Sequence, residues 1–216
     1  MKQLRKRLRE GDVIFGQMVL ELFTSGIGPM LAASGMDFVL YDMEHGRCDI
    51  TLLAEMVASC RGSNIVPMAR VPDFGFRPLS RVLDVGVRGV MVPRVETRAQ
   101  AEEIVAQLKY APLGRRGVAL GVAHDLYQAG GAEFFAEANE ETVVILLLET
   151  VKAFENLDEI VLRTRSCANA APTGQNFLVQ LAHHRQRPNW LIGVCNDCFQ
   201  QMLIMLQHLP DGPGVK

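Results

Sequence analysis

The stretch FVLYDMEHG, Phe38 to Gly46, runs four apolar or aromatic residues straight into Asp42, Glu44 and His45 and stops at a glycine. Two further apolar runs end the same way: IVPMARV carries Arg70 near its end, and TVVILLLE closes on Glu149. A charged group at the end of such a run loses hydration unless a counter-charge, a hydrogen-bond partner or a ligand meets it. Each therefore has a chemical and a structural reading. His45 is the group best suited to proton transfer near neutral pH, or a satisfied histidine at a loop mouth. Arg70 is a planar, always-charged fork for a carboxylate or an enolate oxygen, or half of a structural ion pair with Asp42 or Asp73. Glu149 is a ligand for a hard cation, or the partner of Lys152 at the start of the next helix. Asp84, in RVLDVG, reads locally as a helix cap or an intrahelical pair. No lysine ends any of these runs, so Schiff-base chemistry has no obvious nucleophile.

The elements that position these groups follow from the hydrophobic pattern. Short apolar runs at Val13 to Leu20, Phe38 to Glu44, Ile65 to Val71, Gly89 to Val95 and Thr142 to Glu149 predict buried strands of a parallel sheet. Helix-like segments lie between them, at Gly28 to Ser34, Ile50 to Cys60, Pro78 to Val85, Arg98 to Tyr110 and Val151 to Val161, several closed or followed by glycine. The alternation predicts a barrel or a doubly wound sheet. No glycine-rich phosphate loop follows the first strand, which favours the barrel, and in a (β/α)8 barrel sites are built at the C-terminal ends of strands. The candidate residues stand at those ends.

Composition excludes several classes. A chain of 216 residues that is 49% hydrophobic with a net charge of -2 is a globular-protein profile without the basic face of a nucleic-acid binder. The basic start, KQLRKRLRE, reads as an amphipathic helix around Leu4 and Leu8. No apolar run reaches the roughly 18 residues of a membrane span and no signal peptide is visible, so a cytoplasmic protein that needs no membrane is expected. Five irregularly spaced cysteines suit reduced thiols.

Five blocks then align with one family. VLYDMEHG, VPMARVP, VLDVGVRGVMVPRVET, YAPLGRRGV and ETVKAFENLDEI, in this order and spacing over about residues 4–161, resemble the HpcH/HpaI family of metal-dependent (class II) pyruvate aldolases, also called 2-keto-3-deoxy acid or 2,4-dihydroxyhept-2-enedioate aldolases. The resemblance implies an α/β (β/α)8 TIM barrel, a homo-oligomer (hexamer or trimer), and reversible cleavage of a 4-hydroxy-2-oxo acid to pyruvate and an aldehyde. It implies a divalent metal, Mg2+, Mn2+ or Co2+. Carried over, His45 is the base, Asp84 its orienting partner, Arg70 the group that holds the ketone oxygen, and Glu149 a metal ligand. Asp42 fixes Arg70 or waters around the metal. A malyl or citramalyl thioester lyase shares the enolate chemistry, but no basic cluster at a strand end offers a site for coenzyme A phosphates. A macrophomate-type decarboxylating variant uses the same enolate.

The departures are also specific. Leu147 stands where the family often has glutamine, and His124 with Asp125 either reaches the aldehyde side of the site or forms an ordinary loop pair. After Val161 the match ends: residues 1–161 read as the barrel body, with five recognisable strands, and 162–216 as a segment that does not match. Gln175 occupies the spacing of the family's second metal ligand, an aspartate, and an amide is a poor ligand for a hard cation. So abrupt a change is what a shifted reading frame or an altered terminal segment produces, and it leaves room for a catalytically impaired relative with weak 2-oxo acid binding. Cys195 and Cys198, with His183, His184 and His208, offer a zinc reading or an accident of composition.

Overall fold

The structure, a computed structural model, describes residues 4–9, 12–160, 177–181 and 192–194. Strands form where the chain is apolar on both faces. β2 (Phe38–Asp42), β4 (Gly89–Val92) and β5 (Val143–Leu148) are buried at every position, and β3 (Val66–Arg70) at all but Arg70. Such runs fit only a sheet covered on both sides. β1 (Gly16–Val19) lies at the edge, and of its residues only Val19 is buried. The strands follow chain order from β1 to β7, with β1 to β6 parallel. A doubly wound sheet would reverse direction at a switch point. The unbroken order is that of a barrel wall, and the architecture is α/β, a partial TIM-barrel-like fold.

Two strands lie beyond the five that the apolar runs predict. β6 (Phe177–Leu181) pairs parallel with β5, and β7 (Ile192–Val194) pairs antiparallel with β6. The parallel rhythm thus runs one strand past Val161 and then breaks. The positions of Gln175, Cys195, Cys198 and the three nearby histidines lie outside the described residues.

The period-two alternation of side chains divides the sheet into two cores. Phe38, Leu40, Val66, Met68, Met91, Val143, Ile145 and Leu147 pack on one face with Leu4 and Leu8 of the first helix, α1 (Leu4–Arg9). Val39, Tyr41, Ala69, Val90, Val92, Val144, Leu146 and Leu148 pack on the other, under the helices that link the strands. These are α2 (Ile27–Ala33), α3 (Ile50–Ser59), α4 (Phe76–Asp84), α5 (Arg98–Leu108) and α7 (Val151–Glu155). The expected helices are present with ends shifted by a few residues. α3 begins where the Asp49 carboxylate accepts from Leu52 N, and α5 where Thr97 and Gln100 form a reciprocal cap. α6 (Ala132–Glu141) is additional: no side chain caps its start at Gly131, so the usual signal for a helix N-terminus is missing. Its Phe135 meets Tyr110 edge-on at 4.8 Å. Among the described residues no helix is long and apolar enough to cross a membrane.

Leu146 is fully buried in the helix-side core. Leu146→Ala should lower the unfolding free energy by about 2–5 kcal/mol, measured from the shift of the urea midpoint at constant slope.

Candidate functional site

Site residues are placed by strand parity. Phe38 and Leu40 face the α1-side core, so Asp42 continues on that face; Val66 and Met68 carry Arg70 with them, and Ile145 and Leu147 carry Glu149. Register brings the first two together, because Asp42 lies directly opposite Arg70. Asp42 is completely buried, and it accepts from Arg70 through both oxygens, Oδ1 from Nε at 2.8 Å and Oδ2 from Nη2 at 2.6 Å. The structural ion pair and the fork are thus the same object: Asp42 takes Nε and Nη2 of the guanidinium and leaves Nη1 to face Glu44.

Asp42 also shapes the turn that follows it. Its Oδ1 accepts from Glu44 N at 3.0 Å and His45 N at 3.5 Å. Gly46 ends the motif because a Cβ there would lie 2.6 Å from Leu20 O and 2.7 Å from Asp42 O. Burial alone would push the Asp42 carboxyl up, but the Arg70 fork and the two amides outweigh it and hold the group below the usual carboxylate range. The guanidinium is raised in turn: burial opposes its charge, and Asp42, Glu44 and Glu149 more than compensate.

Glu44 stands with Asp42 and His45 at the end of the apolar run, and the resemblance assigns it no role. Its Oε2 lies 3.3 Å from Arg70 Nη1 without hydrogen-bond geometry, so a buried carboxylate oxygen has no donor. Its Oε1 is 3.7 Å from Nε2 of His45, whose side chain is 66% exposed. The i, i+2 relation to Asp42 was the available signal. Glu149 does not pair with Lys152 in this structure; it accepts from Arg94 N at 3.0 Å, and Lys152 meets Glu96 at 3.3 Å. Glu96 also accepts from the Thr150 hydroxyl, while Asn156 donates to its carbonyl. Arg94 holds this arrangement from a left-handed backbone, φ 56°, a conformation that sequence spacing does not reveal.

Asp84 stands elsewhere. α4 returns from the end of β3 to the start of β4, so its last residue lies at the N-terminal end of the sheet, a strand length of about 15 Å from the end that carries His45. There Asp84 Oδ1 accepts from Arg116 Nη2 at 2.8 Å and lies 3.8 Å from Nδ1 of buried His124. Asp125 does not pair with His124 but caps the loop, accepting from Gly121 N at 2.5 Å and Tyr127 N at 3.0 Å. One chain therefore brings Asp42, Glu44, His45, Arg70 and Glu149 to one end and Asp84 to the other.

The donors at the first end are carboxylate oxygens, the right chemistry for a hard divalent cation. Among the described residues no group of three or more His, Cys, Asp or Glu is gathered into a preformed cluster. The orphaned Glu44 oxygen and the exposed carboxylate of Glu149 are the acceptors at this end that keep capacity for a cation.

Comparison with known proteins matches residues 22–190 to the HpcH/HpaI aldolase/citrate lyase family. The match continues past Val161. A 2-keto-3-deoxy-L-rhamnonate aldolase from Salmonella gallinarum is 32% identical over 157 residues, 73% of this chain and 58% of that protein. A hydroxypyruvate/pyruvate aldolase from Roseobacter denitrificans is 31% identical over 170 residues, 74% of this chain and 62% of that protein. This chain thus spans less than two thirds of the length of these relatives. The crystal structure of an HpcH/HpaI aldolase from Desulfitobacterium hafniense superposes with a TM-score of 0.69 at 30% identity, over 73% of this chain and 61% of that one. Macrophomate synthase superposes with a TM-score of 0.62 at 28% identity, over 73% of this chain and 56% of that one.

Removing one partner of a buried ion pair leaves the other uncompensated, so Asp42→Asn should cost about 3–5 kcal/mol of stability, read from urea unfolding. The His124 imidazole is held below its ordinary value, first by burial and then by Arg116, against the weaker pull of Asp84 and Asp125. Because the unfolded state then binds the proton more readily, stability should fall as pH drops below about 6.5. His124→Phe should flatten that decline, measured as urea midpoints between neutral and mildly acidic pH.

Proposed function

The chain belongs to the HpcH/HpaI aldolase/citrate lyase family, and from that premise we propose that it catalyses metal-dependent, reversible cleavage of a 4-hydroxy-2-oxo acid to pyruvate and an aldehyde. The observation that carries this reading is the Asp42-locked guanidinium of Arg70, which faces Glu44 and feels the charge of Glu149, with exposed His45 beside Glu44.

The reaction needs a base for the C4 hydroxyl and a sink for the electrons released when the C3–C4 bond breaks. His45 takes the hydroxyl proton, directly or through a water, and its exposure leaves room for substrate to reach it. The electron pair of the broken bond moves toward the C2 ketone oxygen, forming an enolate. Arg70 donates to that oxygen from the guanidinium edge that Asp42 leaves free. Because Asp42 has already oriented the fork, little reorganisation is needed as charge develops. C4 leaves as the aldehyde, and the proton taken by His45, or one from water, is delivered to C3 of the enolate to give pyruvate. Glu149 and Glu44 would hold Mg2+, Mn2+ or Co2+, which when bound supplies Lewis-acid polarisation of the ketone and carboxylate oxygens.

Within one chain Asp84 stands at the opposite end of the strands from His45 and does not reach it. Its proposed role as orienting partner requires a second copy, and the active form is accordingly a homo-oligomer.

Full-length chain incubated with a panel of 4-hydroxy-2-oxo acids should release pyruvate with Mg2+, Mn2+ or Co2+ and stop after EDTA. Arg70→Lys should lower kcat by about 10²–10³-fold and His45→Ala by about 10²–10⁴-fold. Release that survives EDTA, or that is unchanged in both variants, would sink the reading.

A further inference from the structure

The block YAPLGRRGV takes no part in the chemistry above, yet it folds as a bracket around Asp84. The turn is pinned to the end of α5: Leu113 N and Gly114 N both donate to Tyr110 O at 3.1 Å, Arg115 N to Ala106 O at 2.6 Å and Arg116 N to Lys109 O at 2.8 Å. Gly114 allows this, because a Cβ there would collide with the carbonyls of Ala106 and Lys109. Tyr110 is itself anchored by Asn139, whose Oδ1 accepts from Tyr110 N at 2.7 Å and whose Nδ2 donates to Tyr110 O at 3.1 Å. The Arg116 guanidinium then lies over the Tyr110 ring, 4.6 Å from its centre.

The result is unequal burial. The Arg116 side chain is only 3% exposed, whereas Asp84, which it grips by Oδ1, is 34% exposed. Arg116 Nε is buried with no hydrogen-bond partner among the described residues. A carboxylate open to water needs no buried cation to satisfy it, so in this pair it is Arg116 whose burial must be offset, by Asp84 and by the Tyr110 ring. The bracket fixes one oxygen of Asp84, while the side chain as a whole stays partly open to solvent.

We infer that Arg116 is a positioning residue: through Asp84 Oδ1 it sets the orientation in which this carboxylate meets His45 of another copy. Tyr110 and the Gly114 turn hold Arg116 in place. The inference rests on the aldolase reading and on the part that reading gives Asp84.

The test is a double-mutant cycle on the full-length chain, with Arg116→Met, Arg116→Lys, Asp84→Asn and the Arg116→Met/Asp84→Asn double variant assayed for metal-dependent pyruvate release. Arg116→Met should lower kcat by about 10- to 100-fold with little change in KM, and Arg116→Lys should recover part of the loss. In the Asp84→Asn background Arg116→Met should add nothing, since a residue acting through Asp84 has nothing left to act on. A full additional loss in that background overturns the inference, because it marks a purely structural role. A normal kcat in Arg116→Met while Asp84→Asn is slow also overturns it and leaves the aldolase reading standing. An unchanged kcat in Asp84→Asn, or no release from the wild-type chain with any of the metals, removes the reading on which the inference rests. Urea unfolding accompanies each variant; if Arg116→Met does not fold, Arg116→Lys replaces it in the cycle with the same criterion.

Discussion

The bidentate pair between Asp42 and Arg70 is the interaction on which the rest of the site depends. It exists because β2 and β3 run parallel in a register that sets the two residues opposite each other, on the same face as the α1-side core. Asp42 is completely buried, so its charge is tolerable only with Arg70 and the amides of Glu44 and His45 around it. The pair settles two things at once. It fixes the plane of the guanidinium, and through the same carboxylate it fixes the backbone that carries Glu44 and His45.

Charge at the neighbouring strand ends is arranged around that fixed point. Glu96 takes up Lys152, Thr150 and Asn156, and so ties the loop after β4 to the one after β5. Lys152 is thereby drawn away from Glu149. The Glu149 carboxylate is left with a backbone amide, from Arg94, and with the field of Arg70. A carboxylate satisfied by an amide on one oxygen keeps acceptor capacity for a cation, whereas one closed by a lysine would not. The left-handed backbone of Arg94 is the strained element of this arrangement.

The opposite end of the layer follows a different logic. Strand ends that carry the C-terminal site hold polar groups among apolar ones, while the N-terminal end carries Asp84 in a bracket built by Tyr110, Arg116 and His124. The direction of a β/α unit forces this separation, because a helix that follows a strand must return to the start of the next. Within one chain the two groups of polar residues therefore stay at opposite ends of the strands.

The strands and most linking helices were legible in the sequence because buried parallel strands are continuous apolar runs and the helices between them carry ordinary caps. Asp42, Arg70 and Glu149 were legible for the same reason: a charge at the end of an apolar run is conspicuous. α6 was not, since its start at Gly131 has no side-chain cap, and neither were β6 and β7, which lie beyond the regular alternation. What the sequence by itself determined was the residue types at the strand ends and the face each one shares, since alternation along a strand is local geometry. Only the tertiary structure decided the partners: that Asp42 meets Arg70 rather than Asp73 doing so, that Lys152 goes to Glu96, and that Asp84 turns to Arg116. Those choices depend on register between strands and on the return path of helices, and both are set by contacts between segments far apart in the chain.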